Sequence, residues 1–184
     1  MKSRFIHFAL AILAVTAFGA NQAAAQGFTL PMMIIETDAF EDGGVIPLKY
    51  TSHGDNVQPD FRISGAPDTT VSYAILFHDI DVSLGGSTTD VSHWVAWNIP
   101  SANIAEGSLP EGSVHGANIT GQNAYFGPGA PSNERFHHYV FEFYALGENL
   151  DIPVESGRAE LLAAMEGKVV AKAAYVGRYT RAIP

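Results

Sequence analysis

The sequence predicts a mostly β protein: an antiparallel β-sandwich with one short helix near the C-terminus and a long loop over one end. Three observations carry that reading. Short apolar runs recur along the chain, the 18 glycines and 10 prolines are scattered between them, and no charge block, repeat or low-complexity linker interrupts the pattern. Half-apolar strands separated by frequent turns bury themselves best as two sheets packed face to face.

Taken in order, the chain opens with Lys2 and Arg4, an apolar stretch over residues 5–18, and Ala23-Ala24-Ala25 before Gln26. A basic start, a short apolar run and small residues in an A-x-A pattern are the order of a secretory signal peptide. Residues 1–25 are therefore read as a leader and residues 26–184 as a single domain, delivered to the periplasm or secreted. Removing 25 of the 184 residues leaves 159, enough for a sizeable core. Strands are expected over residues 32–37, 46–50, 61–63, 71–77, 91–99, 138–146 and 169–179. The helix is expected over 157–166, where Ser156 can cap the good helix formers of Ala159 to Met165 and Gly167 stops them. Residues 100–131 read as the loop.

The leader holds two of the 10 Lys and Arg and none of the 19 Asp and Glu, so the charge of the remainder is −11 rather than −9. Such an acidic surface argues against nucleic acid as a partner. With no cysteine, the fold depends on its core rather than on disulfides.

Side chains alternate across a strand, so residue parity tells which polar groups share the core face. Odd positions of 71–77 are the more apolar, and continuing in phase reaches Asp79 and Asp81. Odd positions of 91–99 place His93 with Val91, Val95, Trp97 and Ile99. In the later strand Tyr139, Phe141, Phe143 and Ala145 share their face with His137. Ionisable groups at core-facing strand ends are costly unless paired or hydrated, so Asp79, Asp81, His93 and His137 together point to a polar pocket at one end of the core. His53, His78, His115 and His138 are expected in loops or at the surface.

These residues resemble the phosphatidylethanolamine-binding protein family in its bacterial branch. Asp55-Asn56-Val57-Gln58-Pro59 with Ser64-Gly65-Ala66-Pro67 is similar to its early motif. Phe77-His78-Asp79-Ile80-Asp81 with Ser92-His93-Trp94 resembles its first signature, and Gly127-Pro128-Gly129-Ala130-Pro131 with His137-His138-Tyr139 its second. The resemblance implies a sandwich whose pocket takes phosphate, a phosphoryl or phospholipid head group, or a small carboxylate. Asp79, Asp81, His93, His137 and Tyr139 would line or support the pocket, with Gly127 and Pro128 in its rim. The chain departs from the family pattern in four places. Ile80 and Ser83 replace prolines of the pocket loop, His138 an arginine and Ile63 a tryptophan, while Ser52 and Gly129 stand where many bacterial relatives carry cysteine.

Without a matched Lys or Arg, the imidazoles must supply the positive charge: a carboxylate accepts from one ring nitrogen while the other donates to the ligand. No cofactor is called for. Hydrolysis is not expected, because Ser92 has the opposite parity to His93 and no G-x-S-x-G elbow occurs. Metal binding by these His and Asp residues and a protein-interaction role, as a protease inhibitor or signalling regulator, remain as alternatives, as does assembly into a homodimer.

Overall fold

The computed structural model describes residues 32–132 and 135–181; the expected leader lies outside them. Among the described residues, nine strands and one α-helix follow in chain order: β1 Ile34–Glu36, β2 Gly44–Val45, β3 Phe61–Ser64, β4 Ser72–Asp79, β5 Val91–Ile99, β6 Asn103–Ile104, β7 Val114–His115, β8 His137–Leu146, α1 Arg158–Met165 and β9 Val169–Tyr179. They form a three-stranded sheet, β1-β3-β6, and a six-stranded sheet, β2-β9-β8-β4-β5-β7. Every pair is antiparallel except β2 with β9.

The sandwich core follows from alternation. Odd residues of β4 and β8 (Tyr73, Ile75 and Phe77; Tyr139, Phe141, Phe143 and Ala145) face the small sheet, where Ile35, Phe61, Ile63 and Ile104 meet them. Phe61 is fully buried among Phe143, Phe141 and Tyr175, with ring centroids 4.9, 5.1 and 6.4 Å away. Even residues Ala74, Leu76, Tyr144 and Leu146 form a second core, closed by Leu150 and by Leu161 and Met165 of α1.

The strands over 91–99 and 169–179 lie where the sequence placed them. Residues 46–50 do not form a strand. Ile46 is buried, but the chain turns at Pro47 into a 3-10 turn, Leu48–Tyr50, closed by Tyr50 N–H to Pro47 O at 3.0 Å. The helix begins at Arg158 with Gly157 as its cap, not Ser156. Glu160 reaches back to accept the Gly157 N–H at 3.0 Å, and Ser156 is buried beneath. The stretch 100–131 includes the two-residue strands β6 and β7, one on each sheet.

Strand β5 departs from simple alternation. Tyr73 pairs with Ile99 but Ile75 with Ala96, and Phe77 pairs with Trp94 but His78 with Ser92, so β5 carries an extra residue at each of two bulges. Asn98, with φ at +53°, supplies the left-handed residue of the first bulge and is bonded through its side chain to Leu150. Val95 and Trp97 therefore turn to the helix side, while Trp94, Ala96 and Ile99 enter the sandwich core. His93 reaches the sandwich side because the second bulge inverts the phase again.

Candidate functional site

β4, β5 and β8 are neighbours in the large sheet, so the end of β4, the start of β5 and the start of β8 meet at one edge of the core. Asp79 of β4 pairs with Val91 on one side and Tyr139 on the other. A cavity of about 340 Å³ opens there, with Asp79, His93, Tyr139, Phe126, Ser52 and His53 in its wall. Val82, Val91, Ala130 and Pro131 complete a largely apolar rim.

Asp79 is buried and satisfied by protein. Its Oδ2 accepts from His137 Nδ1 at 2.7 Å and its Oδ1 from the Asp81 N–H at 2.9 Å. His93 is buried too, stacked on Phe126 with centroids 5.4 Å apart and edge-on to Tyr139 at 5.3 Å. Its Nδ1 lies 2.8 Å from the Phe126 carbonyl, which can only accept, so Nδ1 carries the proton and Nε2 is left for the cavity. Burial pulls the His93 pKa below the ordinary imidazole value, against the opposing effects of the Phe126 carbonyl and the Asp79 carboxylate.

Tyr139 is fully buried and its hydroxyl completes no hydrogen bond. Burial pushes its pKa far above the usual range, Asp79 adds to this, and the backbone of Gly129 and Ala130 opposes it. The hydroxyl therefore stays protonated, with the Asp79 carboxylate beside it but no acceptor at full hydrogen-bond geometry. The loop beside it is anchored from behind. Gly127 N–H donates to Asn56 Oδ1 at 2.7 Å, and a Cβ at Gly127 would stand 2.3 Å from the Tyr50 carbonyl, so only glycine fits. The Pro128 carbonyl accepts from both Ser52 N–H and Ser52 Oγ at 3.0 Å.

The sequence-derived set is thus divided. Asp79, His93 and Tyr139 line the cavity; His137 stands behind, holding Asp79; Gly127 and Pro128 anchor the loop whose next residues, Gly129 to Pro131, form the rim. Asp81 does not share the pocket. β4 ends at Asp79, the chain turns, and Asp81 Oδ2 accepts from the His138 N–H at 2.6 Å and His138 Nδ1 at 2.8 Å, while Arg135 holds Oδ1. Burial would raise the Asp81 carboxyl, but the His138 bonds and Arg135 outweigh it and hold its pKa below the usual carboxylate range.

Two other histidines also depart from expectation. His78 is buried on the helix side, with Nδ1 2.7 Å from Asp90 and Nε2 3.6 Å from Glu142. His115 is half-buried on β7 and accepts from the Trp94 indole. His53 is exposed in a turn, as expected, and also lies in the cavity wall against the Tyr179 ring. Ser52 and His53 precede the rest of the site by more than twenty residues, and no local pattern marks them. Ser52 meets the rim loop directly: its Oγ lies 3.0 Å from where a Gly129 Cβ would stand.

A family model described as Phosphatidylethanolamine-binding protein matches residues 36–180. Among curated relatives, a UPF0098 protein of Methanothermobacter thermautotrophicus is 38% identical over 156 residues, covering 81% of this chain and 99% of its own. One from Pyrococcus horikoshii is 34% identical over 189 residues, covering 98% and 91%. Among solved structures, the chain is similar to CT736 of Chlamydia trachomatis, described as a putative phosphatidylethanolamine-binding protein homolog (TM-score 0.74, 29% identity, 82% and 99% covered). It is also similar to YbcL of E. coli, described as a new member of the mammalian PEBP family (TM-score 0.71, 25% identity, 81% and 98% covered).

Proposed function

The chain belongs to the phosphatidylethanolamine-binding protein family, a membership that points to binding of a ligand or a protein partner, and on that premise we propose that it binds a small oxyanion in the Asp79–His93–Tyr139 cavity. The ligand class is a phosphate, a phosphoryl head group or a carboxylate. The buried Tyr139 hydroxyl, with no acceptor at full hydrogen-bond geometry, carries this reading, since an oxyanion oxygen supplies what it lacks. His93 Nε2, across the cavity, adds a second donor once the ring is protonated. His137 acts one step back: its Nδ1–H engages Asp79 Oδ2, which lessens the repulsion between that carboxylate and an anion. The Ser52 hydroxyl of the cavity wall donates to the Pro128 carbonyl at 3.0 Å, and we assign no reaction to the cavity.

Binding is then linked to a proton. Burial depresses the His93 pKa in the free protein, and an oxyanion at Nε2 favours imidazolium and raises it. Affinity therefore climbs as pH falls from the raised value of the complex to the depressed value of the free protein, by at most about tenfold per pH unit, and is flat outside that window. Without ligand the sign for stability is opposite. A depressed His93 binds its proton less readily folded than unfolded, so stability present above about pH 6.5 is lost as pH falls toward the folded value.

Calorimetric titration with sulfate, whose charge is constant, is the test. His93→Ala is expected to lose roughly 1.5–3 kcal/mol of binding at pH 5.5 and to flatten the pH profile, while His138→Ala loses little. Equal losses at both histidines, or a wild-type profile flat from pH 5.5 to 8, would sink the proposal. A protein-interaction role finds less support: within residues 100–131, Ile119 is the one large apolar side chain that stands exposed.

We infer export from the leader reading. The intact mass of protein recovered outside the cytoplasm should correspond to a chain starting at or within one residue of Gln26. Retention of Lys2 through Ala25 on that protein would contradict it.

A further inference from the structure

The segment that walls the oxyanion cavity has a second side. Phe126 faces the first cavity and is locked there by reciprocal bonds with His93: Phe126 N–H to the His93 carbonyl at 3.0 Å and His93 Nδ1–H to the Phe126 carbonyl at 2.8 Å. Its predecessors Ala124 and Tyr125 line a separate cavity, also of about 340 Å³, together with Asn56, Gln58, His115 and Asn123. The lining has no Asp, Glu, Lys or Arg.

The polar groups of this second cavity are fixed in place, each by one end. His115 Nδ1 lies 3.0 Å from Trp94 Nε1, and an indole nitrogen can only donate, so Nδ1 is the acceptor and the neutral ring carries its proton on Nε2. Asn56, held at φ +55°, gives its Oδ1 to the Gly127 N–H at 2.7 Å, which leaves its NH2 group as a donor. Gln58 is buried and donates through Nε2 to the Ala105 and Ser108 carbonyls at 3.1 and 3.4 Å, which leaves its Oε1 as an acceptor. Asn123, exposed at the mouth, offers one of each. Oriented donors and an acceptor around a half-open cavity without formal charge complement a group that is itself neutral and has both a carbonyl and an N–H.

We propose that this cavity is a second binding site, for an uncharged amide such as a peptide group or an N-acyl group. The ligand carbonyl accepts from His115 Nε2–H and the Asn56 NH2, its N–H donates to Gln58 Oε1, and Asn123 at the mouth bonds a second polar group of the ligand. Burial lowers the His115 pKa, which keeps the ring neutral and the site uncharged at neutral pH. The site is distinct from the oxyanion cavity and does not depend on what that cavity binds.

The test is a nitrogen–proton NMR titration of the labelled protein at neutral pH with N-acetyl-alanyl-alanine amide and, separately, N-acetylglucosamine, with sulfate as the charged control. The expected result is a saturable shift of the Asn56, Gln58 and Asn123 side-chain amides and of the His115 ring with at least one neutral probe and with neither moved by sulfate. Saturation by the peptide amide alone assigns a peptide group; saturation by the sugar alone assigns an N-acyl sugar. Asn123→Ala and His115→Phe should each weaken the binding roughly three- to tenfold, as loss of one hydrogen bond requires. His115→Gln, which keeps an acceptor for Trp94 and a donor for the ligand, should retain most of it. No saturable shift at these four side chains with either probe, or equal shifts with sulfate, overturns the proposal. Should His115→Phe not fold, unchanged affinity in Asn123→Ala, an exposed position, overturns it alone.

Discussion

Asp79→Ala is expected to lower the stability of the fold by about 2–5 kcal/mol, since it leaves two hydrogen-bond donors unpaired at about 1–3 kcal/mol each. The Asp79 carboxylate is buried against His137 Nδ1 at 2.7 Å and the Asp81 N–H at 2.9 Å, so its loss leaves one buried and one half-buried donor without an acceptor. It also releases the turn that carries the chain out of β4. Asp79→Asn keeps the shape and one oxygen acceptor and should lose clearly less. Urea unfolding of the two variants beside wild type measures both effects. A loss below about 1 kcal/mol for the alanine variant would mean that His137 and the turn are held by something else. The two substitutions also separate structure from binding. Asp79→Asn removes a charge that repels an anion, so sulfate should bind it at least as well as wild type, whereas direct coordination by the carboxylate predicts a loss.

Phe61→Ala is expected to be as damaging, at about 3–5 kcal/mol, for a different reason. Phe61 has no exposed surface and links the small sheet to the large one through Phe141, Phe143 and Tyr175. No backbone hydrogen bond joins the two sheets' central strands, so the small sheet is held on chiefly by such side chains. Deleting the ring leaves a void that close-packed neighbours fill only partly. Phe61→Leu retains most of the volume and should cost about 1.5 kcal/mol or less. Thermal and urea unfolding would show the difference. Equal losses for both substitutions would point to ring-edge contacts rather than volume as the source.

The long strands were legible because their signal is local. Residues 91–99 and 169–179 are bounded by turn-forming sequence, and the alternation of Phe and Tyr in β8 reports its buried face directly. Residues 46–50 have strand composition, yet Pro47 has no N–H to give a sheet and the segment turns into a 3-10 hydrogen bond instead. In β5 parity placed His93 correctly but Val95 and Trp97 incorrectly, because the two bulges shift the phase twice and cancel at His93. A bulge is defined by pairing with β4, which the alternation within β5 does not report.

By itself the sequence determined the family, the sandwich and the presence of Asp79, His93, His137 and Tyr139 near strand ends, since those depend on composition, spacing and alternation along one chain. Tertiary structure decided which of these groups share a cavity. Asp81 lies two residues beyond Asp79 and in phase with it, but the turn after β4 hands it to His138 and Arg135. His53 enters the cavity from a segment with no local mark, and His78 is buried between Asp90 and Glu142 on the opposite face. The protonated nitrogen of His93 is set by the Phe126 carbonyl, 33 residues away, and that of His115 by the Trp94 indole, 21 residues away. A side chain's chemistry depends on which donor or acceptor reaches it, and such partners are brought together by the packing of distant segments, which no periodicity within a single strand encodes.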